Sequence, residues 1–279
     1  MIIDGKLISQ QVKDEVKSEI QKTGISAGLT VIIVGDNPAS RLYVNNKKKA
    51  CEYVGIESHE CALTADVSEN ELLSLINDLN KDDKVDGILV QLPLPKHIDE
   101  KKIISAIDPD KDVDVFHPYN VGLNTTGDWS LAPCTPAGVM ELIKSTGIDI
   151  SGKNCTVVGR SNIVGKPVAS WLTAQNGIVK ITHSRTTDIV ADCKSADILV
   201  VAVGRENFVT ADMVKPGAVV IDVGINKNSL GKTVGDVDFE AVKQVAGHIT
   251  PVPGGVGPMT ISMLMRNTLF LAKKHKGII

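Results

Sequence analysis

A lysine and a glutamine are the first candidates for chemistry in this sequence. Tyr43 and Lys47 are four residues apart in a stretch of helical character, so a helix would place both on one face. Gln91 directly follows a short apolar run and precedes a proline-rich loop. A parallel strand that ends there would place Gln91 at the carboxyl edge of a sheet, where α/β sites form. The alternative for Lys47 is a solvated helix face, because two more lysines follow it.

The loop from Gly159 to Gly165 is a second candidate site. It joins an apolar run to a helical pattern, and Pro167 fits a first helical turn, where its missing N–H is not needed. Such a junction directs free backbone N–H groups and the positive end of the helix dipole at an anion such as pyrophosphate. The spacing is one residue longer than G-x-G-x-x-G, and Ser161 replaces the second glycine. A purely structural turn is the alternative.

The end of the next predicted strand indicates which cofactor this loop binds. Enzymes that use NAD usually carry Asp or Glu there, against the ribose 2′-hydroxyl. This sequence instead has Ser184, which can donate a hydrogen bond to a 2′-phosphate, and Arg185, which can neutralise its charge with help from Arg160. NADP is therefore the predicted cofactor, with an ordinary surface charge as the alternative for Arg185. The predicted cofactor-binding residues are Gly159, Arg160, Ser161, Ser184 and Ile225.

The elements that must position these residues alternate between short β-branched runs and longer helical patterns, which predicts an α/β fold with parallel sheets. The predicted strands are 29–34, 56–62, 87–91, 155–158, 179–182, 198–202 and 218–223. The predicted helices are 8–22, 38–54, 68–81, 136–146, 165–175, 238–244 and 260–275. The segment 116–136 has no sustained periodicity and is a predicted domain boundary, and the Gly- and Pro-rich segment 251–258 is a predicted loop.

Composition narrows the class of protein. A chain of 279 residues with 43% hydrophobic content is long enough for two domains. A net charge of −3 gives no general attraction to nucleic acid or to an anionic membrane, so a small-molecule substrate is expected. The apolar runs are too short to cross a membrane, and the first residues show no targeting pattern, which predicts a cytoplasmic protein.

The cysteines and histidines do not indicate a metal site. The five cysteines are widely spaced without a C-x-x-C pair, so reduced, buried thiols are expected. The six histidines show no ligand spacing such as H-E-x-x-H, so no metal is predicted.

Several stretches of the sequence resemble the bifunctional methylenetetrahydrofolate dehydrogenase/methenyltetrahydrofolate cyclohydrolase enzymes. They follow the family's order from one end of the chain to the other, and the VQLPLP and PGGVGPMTI stretches are the most specific. The matching stretches are residues 37–40 with Tyr43 and Lys47, then 86–95, 111–114, 159–167 and 253–261.

The resemblance implies two reactions at one site. NADP⁺ accepts a hydride from 5,10-methylenetetrahydrofolate, and water then converts the methenyl product to 10-formyltetrahydrofolate. It also implies an N-terminal αβα catalytic domain (1–120) and a C-terminal Rossmann-type NADP-binding domain (136–250), separated by a cleft. The last helix (258–279) would pack back on the first domain, and the enzyme would be a homodimer.

The resemblance also implies individual roles. Lys47 matches the catalytic lysine and Gln91 its hydrogen-bonding partner, while Tyr43 would stack on the folate and Asp114 would bind the pterin ring. A lysine beside apolar walls has its pKa lowered toward the range useful for proton transfer. The implied catalytic residues are Lys47, Gln91, Tyr43 and Asp114, and the implied substrate-binding residues are Tyr43, Leu92, Pro93, Asp114, Pro253, Gly254 and Gly255.

One position departs from the family. After Asp112-Val113-Asp114 the family typically has glycine, and this chain has Val115. If a left-handed backbone is needed there, valine would cost roughly 1–2 kcal/mol or shift the loop and change the direction of Asp114. The alternative among enzymes is therefore a monofunctional dehydrogenase with impaired cyclohydrolase activity. An alternative from another class is a non-catalytic NADP-binding sensor or scaffold, which would keep the Gly159 loop but need no Lys47–Gln91 pair.

Overall fold

The computed structural model describes residues 1–38 and 40–279 completely and residue 39 by its backbone alone. The side chain of Ala39, within the motif at 37–40, lies outside the described residues. The chain forms two compact units. The Lys47 unit contains Gln10–Leu123, Trp129–Cys134 and Ile261–Ile279, and the Gly159 unit contains Met1–Ser9, Asn124–Asp128 and Thr135–Thr260.

The Lys47 unit is built on a three-stranded parallel sheet with the order β2-β1-β3. The strands are β1 (Gly28–Val34), β2 (Glu57–Leu63) and β3 (Gly87–Val90). Every residue of the central strand β1 is buried, as expected for a parallel strand covered on both faces, whereas the edge strand β2 is largely exposed. The helices of this part of the chain are α1 (Gly5–Thr23), α2 (Pro38–Val54), α3 (Glu69–Lys81), α4 (Glu100–Ala106) and α5 (Pro118–Thr125).

The Gly159 unit is built on a five-stranded parallel sheet with the order β10-β7-β6-β4-β5. Its strands are β4 (Asn154–Val158), β5 (Ile178–Thr182), β6 (Ile198–Val201), β7 (Val219–Asp222) and β10 (His248–Ile249), and β8 (Asn226–Lys227) and β9 (Thr233–Val234) form an antiparallel pair. The remaining helices are α6 (Cys134–Ser145), α7 (Gly165–Ala174), α8 (Ile189–Lys194), α9 (Phe239–Val242), a 3₁₀ turn (Ala211–Met213) and α10 (Val256–His275). The buried strands β6 and β7 lie at the centre of its core.

The predicted α/β class is confirmed, and all seven predicted strands are present to within one residue at each end. The segment 116–136, predicted as a domain boundary, contains α5 and the start of α6, which the sequence pattern missed. The predicted loop was wrong at its end, because α10 begins at Val256. Pro258 is tolerated there because the N–H groups of a first helical turn have no partner within the helix. The pattern also missed α4, α8 and the two-residue strands.

Candidate active site

The side chain of Lys47 points into the Lys47 unit rather than into solvent. It is 8% exposed, whereas Lys48 and Lys49 are exposed on the same helix, so the solvated-face interpretation of Lys47 was wrong. Its Nζ donates to Oε1 of Gln91 over 3.0 Å. The amide of Gln91 is oriented by its own Nε2, which donates to the carbonyl of Leu92 over 2.9 Å. The acceptor oxygen of Gln91 is therefore held toward the ammonium group.

Burial also changes the protonation of Lys47. Desolvation lowers its pKa, because the charged form loses its water shell, while the nearby Asp114, Cys134 and Cys51 act in the opposite direction. A glutamine partner accepts a hydrogen bond without adding a charge that would hold the proton. Lys47 therefore releases a proton more readily than a solvated lysine and is suited to proton transfer.

Asp114 is close enough to Lys47 for the two to interact electrostatically. It is half-buried, and desolvation raises its pKa to about 6. The charge of Lys47 and the nearby Cys134 thiol lower the pKa, and the buried Asp112 raises it. Near neutral pH this carboxyl can therefore exist in either protonation state.

The loop that carries Asp114 is organised by Asp112. The buried carboxylate of Asp112 accepts the backbone N–H of Val115 over 3.0 Å, the backbone N–H of His117 over 2.8 Å and an N–H of Asn120 over 3.1 Å. Val115 is fully buried and has a φ of 61°. The left-handed backbone is thus present with a β-branched residue in it, and the strain is met by hydrogen bonds to Asp112.

Cys134 is a site residue that the sequence analysis did not single out. It is buried, its Sγ donates to the carbonyl oxygen of Val113 over 3.4 Å, and burial and the nearby Asp114 raise the pKa of its thiol. All five cysteines are free thiols, and Cys61 is the one that is not fully buried. The sequence feature that could have pointed to Cys134 is its position between Pro133 and Pro136, because prolines restrict the backbone of the segment that holds it.

The other residues assigned to the folate lie in both units. Tyr43 is half-buried one helical turn before Lys47, and burial raises its pKa. Leu92 is half-buried and Pro93 is exposed, directly after Gln91, and the peptide bond between them is cis. Pro253, Gly254 and Gly255 belong to the Gly159 unit.

The glycines before α10 are required by the packing of the chain itself. Gly254 has a φ of 110°. A Cβ on Gly255 would lie 2.6 Å from the carbonyl oxygen of Pro251, and a Cβ on Gly5 would overlap the carbonyl oxygen of Gly255. A role of this loop in ligand binding remains a prediction.

The phosphate loop joins β4 to α7 as predicted, with Pro167 in the first helical turn. Gly159 has a φ of 122°, and a Cβ on it would overlap the carbonyl oxygen of Ala202 at the end of β6. A Cβ on Gly165 would overlap the carbonyl oxygen of Gly159. Both glycines are therefore needed for the close approach of this loop to the neighbouring strand and to itself.

Ser161 changes the expectation for the start of α7. Its Oγ accepts the backbone N–H groups of Val164 and Gly165 over 3.2 and 3.3 Å, and its carbonyl accepts that of Lys166 over 3.0 Å. These N–H groups are thus bound within the loop and are not free to face an anion, as the sequence had suggested. An anion would instead meet the exposed side chains of residues 160–163 and the helix dipole.

The strand ends that should contact a 2′-phosphate are neighbours. Val158 pairs with Thr182, so Arg160 and Ser184 each follow the end of an adjacent strand by two residues. Ser184 and Arg185 are exposed, and the next acid along the chain, Asp188, accepts the N–H of Ala191 as the cap of α8. This arrangement fits a phosphate, because it offers a hydroxyl and guanidinium groups without a competing carboxylate.

Buried carboxylates hold the two remaining strand ends, a role that the sequence did not predict for them. Asp236 is fully buried and accepts the backbone N–H groups of Val203, Gly204 and Arg205 over 2.7, 2.9 and 2.8 Å. Asp222 accepts the N–H of Asp236 over 2.9 Å, and desolvation raises the pKa of Asp222 to about 6.

The strand end after Asp222 leads to an exposed apolar side chain. Ile225 is 53% exposed beyond the end of β7.

Among the described residues, no helix is long and apolar enough to cross a bilayer, and no cluster of His, Cys, Asp and Glu could hold a metal ion.

Two family models match successive parts of the chain. Residues 3–114 match the family model "Tetrahydrofolate dehydrogenase/cyclohydrolase, catalytic domain", and residues 133–276 match "Tetrahydrofolate dehydrogenase/cyclohydrolase, NAD(P)-binding domain". The chain is similar to proteins named "Bifunctional protein FolD". That of Acetivibrio thermocellus is 62% identical over 98% of this chain and 96% of its own length, and that of Agathobacter rectalis is 57% identical over 98% and 99%.

Solved structures are similar over the same length. The bifunctional FolD methylenetetrahydrofolate dehydrogenase/cyclohydrolase of Campylobacter jejuni matches with a TM-score of 0.95 and 50% identity, over 98% of this chain and 99% of that one. The Trypanosoma brucei methylenetetrahydrofolate dehydrogenase-cyclohydrolase, complexed with NADP cofactor and inhibitor, matches with a TM-score of 0.93 and 38% identity, over 98% and 97%.

Proposed function

The chain belongs to the tetrahydrofolate dehydrogenase/cyclohydrolase family, and we propose how its residues divide the two reactions of that family. It is a bifunctional enzyme, which oxidises 5,10-methylenetetrahydrofolate to 5,10-methenyltetrahydrofolate with NADP⁺ and hydrolyses the product to 10-formyltetrahydrofolate. The monofunctional alternative is not favoured, because the curated relatives are named as bifunctional. The reactions are thus given by the family, and the assignment of residues is our proposal.

Lys47 is the proton carrier of the hydrolysis. The observation that supports this role is its buried Nζ, 3.0 Å from the uncharged acceptor Gln91. Water that adds to the methenyl carbon must lose a proton, and the ring nitrogen must gain one when the ring opens. The hydroxyl proton of the intermediate then leaves to solvent as the formyl C=O forms, so that one proton is released overall. An amine with a lowered pKa can accept the first proton and return the second. Tyr43, one turn earlier on α2, presents an aromatic face for a flat ligand.

Asp114 binds the pterin ring. A carboxylate can accept two parallel N–H bonds from the amide and amino groups of such a ring. Its pKa of about 6 leaves much of it ionised at neutral pH, and two N–H donors from a ligand would favour the ionised form further. Leu92 and Pro93, beside Gln91, would contact the same ligand, and Pro253, Gly254 and Gly255 are proposed as further folate contacts.

NADP binds the Gly159 unit. When bound, it supplies the hydride acceptor of the oxidation. The residues of the chain provide the position: Gly159, Arg160 and Ser161 lie at the loop after β4, Ser184 lies at the end of β5 and Ile225 lies beyond β7. The 2′-phosphate of NADP would meet Arg160, Ser184 and Arg185, which offer two guanidinium groups and a hydroxyl without a competing carboxylate.

An absorbance assay tests the proposed function. Purified protein with 5,10-methylenetetrahydrofolate and NADP⁺ should produce NADPH, and added 5,10-methenyltetrahydrofolate should disappear faster than in buffer. Lys47→Met should abolish the enzymatic hydrolysis while NADP binding stays normal, and Lys48→Met is the matched control on the exposed face of the same helix. A Lys47→Met variant that hydrolyses at the normal rate would refute Lys47 as the proton carrier.

Two expectations about the assembly also belong to the proposal. We propose that the enzyme is a homodimer and that it works in the cytoplasm, on the basis of the family resemblance and the sequence. Sedimentation equilibrium of the purified protein measures the first, and cell fractionation measures the second. A protein that sediments as a monomer at micromolar concentration would contradict the dimer.

A further inference from the structure

Asn267 is a buried polar residue on α10 that none of the recognised motifs contains. It is 6% exposed. Its Nδ2 lies 2.9 Å from the carbonyl oxygen of Val113 and 2.9 Å from that of Ala132, and 3.6 Å from Sγ of Cys134. A side-chain amide has two N–H donors, so the two carbonyls use both of them. All of these residues belong to the Lys47 unit.

The two carbonyls belong to the segments that carry Asp114 and Cys134. Val113 directly precedes Asp114, and Ala132 lies two residues before Cys134. The segments also contact each other, because the Sγ of Cys134 donates to the carbonyl oxygen of Val113 over 3.4 Å. One amide group thus joins both segments at the point where they meet.

The Asp114 segment needs such a restraint. Val115, the next residue, is held in a left-handed conformation that a β-branched residue disfavours. Asp112 restrains the segment on one side of Asp114, through the N–H groups of Val115 and His117. Asn267 restrains it on the other side, at the carbonyl of Val113. Asp114 is therefore fixed between two sets of hydrogen bonds.

We propose that Asn267 is a positioning residue for the folate reaction, which sets the direction of the Asp114 carboxyl group through the backbone of Val113. This inference rests on the proposed function, in which Asp114 binds the pterin ring. Asn267 acts through Asp114 and does not itself bind the folate. Without its amide the Val113 carbonyl keeps only the weak thiol donor of Cys134, and the strained segment can rotate Asp114 away from the ligand.

Kinetics of the dehydrogenase reaction test this role. Asn267→Ala should raise the KM for 5,10-methylenetetrahydrofolate about 10- to 100-fold, the range expected when a binding group is displaced by about 1 Å. The Kd for NADP should stay unchanged. Asn267→Ser, which keeps one donor, should have an intermediate KM and provides a second variant if the alanine variant is unstable. A purely structural role would instead lower the amount of active enzyme without changing KM.

A matched control is the next residue on the helix. Thr268 is fully buried and its Oγ1 donates to the carbonyl of Leu264 over 2.8 Å, so Thr268→Val removes a buried hydrogen bond without touching the Asp114 segment. Its folate KM should equal that of the unaltered protein. An Asn267→Ala variant with the same KM as Thr268→Val would overturn the inference.

A double variant separates this inference from the proposed function. If Asn267 acts through Asp114, then Asn267→Ala should raise the folate KM no further in an Asp114→Asn background. Two effects that multiply would overturn the positioning role while leaving the proposed function intact. An Asp114→Asn variant with normal folate KM would overturn the proposed role of Asp114 itself, and the inference with it.

Discussion

The carboxylate of Asp112 accepts the backbone N–H of Val115 over 3.0 Å, and Val115 has a φ of 61°. This pair explains how the chain keeps a left-handed turn with valine where the family typically has glycine. Hydrogen bonds to a charged group contribute about 1.5–3 kcal/mol each, so those from the N–H groups of Val115 and His117 together exceed the roughly 1–2 kcal/mol of strain in a left-handed residue. The left-handed turn that follows Asp114 is thereby stabilised.

The strain at Val115 predicts an inverted order of two variants. Val115→Gly should be at least as stable as Val115→Ala, because both lose the buried side chain but glycine also relieves about 1–2 kcal/mol of strain. That gain offsets the greater chain entropy of glycine, about 0.5–1 kcal/mol. Chemical denaturation measures both. At the exposed Asn77 of α3, the glycine variant should be less stable than the alanine variant by about 1 kcal/mol. If the glycine variant were also clearly less stable than the alanine variant at Val115, the proposed backbone strain would be contradicted.

The uncharged partner of Lys47 predicts a change in pH dependence. In Gln91→Glu a carboxylate would replace the acceptor 3.0 Å from Nζ and stabilise the charged lysine, which raises its pKa. The rise of methenyl hydrolysis with pH should move to higher pH by about one to three pH units. The pH–rate profile measures this. Gln91→Met, which removes the hydrogen bond without adding charge, should lower the rate without that shift. A Gln91→Glu profile that coincides with the unaltered one would disprove the electrostatic role.

The raised pKa of Asp114 predicts a pH-dependent stability difference. Its pKa is about 6 in the folded protein and near 4 when unfolded, so the folded state holds the proton more tightly. The contribution of Asp114 to stability is therefore largest at low pH and is lost as the pH rises through 6. Asp114→Asn removes this dependence.

Denaturation at two pH values checks this prediction. Relative to the unaltered protein, Asp114→Asn should be more stable at pH 8 than at pH 4 by an amount up to about 3 kcal/mol. Asp78→Asn, at an exposed position of α3, is the control and should show little such difference. A difference of the opposite sign for Asp114→Asn would show that its carboxylate is stabilised, not desolvated, in the folded protein.

The end of β5 predicts cofactor selectivity. Ser184→Asp should weaken NADP binding by more than tenfold, because a carboxylate repels the 2′-phosphate and the donor hydroxyl is lost. NAD binding should change little. Ser184→Ala separates the two causes, since it removes the hydroxyl alone and should have the smaller effect. Titration with each dinucleotide measures the affinities, and equal losses for both would mean that Ser184 does not contact the phosphate.

Sequence patterns predicted those helices and strands whose conformation depends mainly on their own residues. The strand from Ile198 to Val201 is made entirely of buried apolar residues, so its pattern is independent of its neighbours. The helix from Pro118 to Thr125 was missed because it contains proline, glycine and asparagine, which have low helix propensity. It is anchored by tertiary contacts, such as the bond from Asn120 to Asp112. Such contacts are not encoded in local periodicity.

The same limit applies to the site. Lys47 and Gln91 could be singled out because a motif and a strand end pointed to them. Asn267 and Asp236 could not, because their partners are backbone groups distant in sequence, at residues 113 and 203–205. A buried polar side chain acquires its role when the fold brings those groups to it.

Asp236 also occupies backbone N–H groups that could otherwise bind a phosphate of the cofactor. Three successive N–H groups at residues 203–205, with Gly204 at a φ of 66°, form a concavity of the kind that binds phosphates. The chain's own carboxylate already fills it. These three N–H groups are therefore already bound by the chain itself and are not available to the phosphates of a dinucleotide.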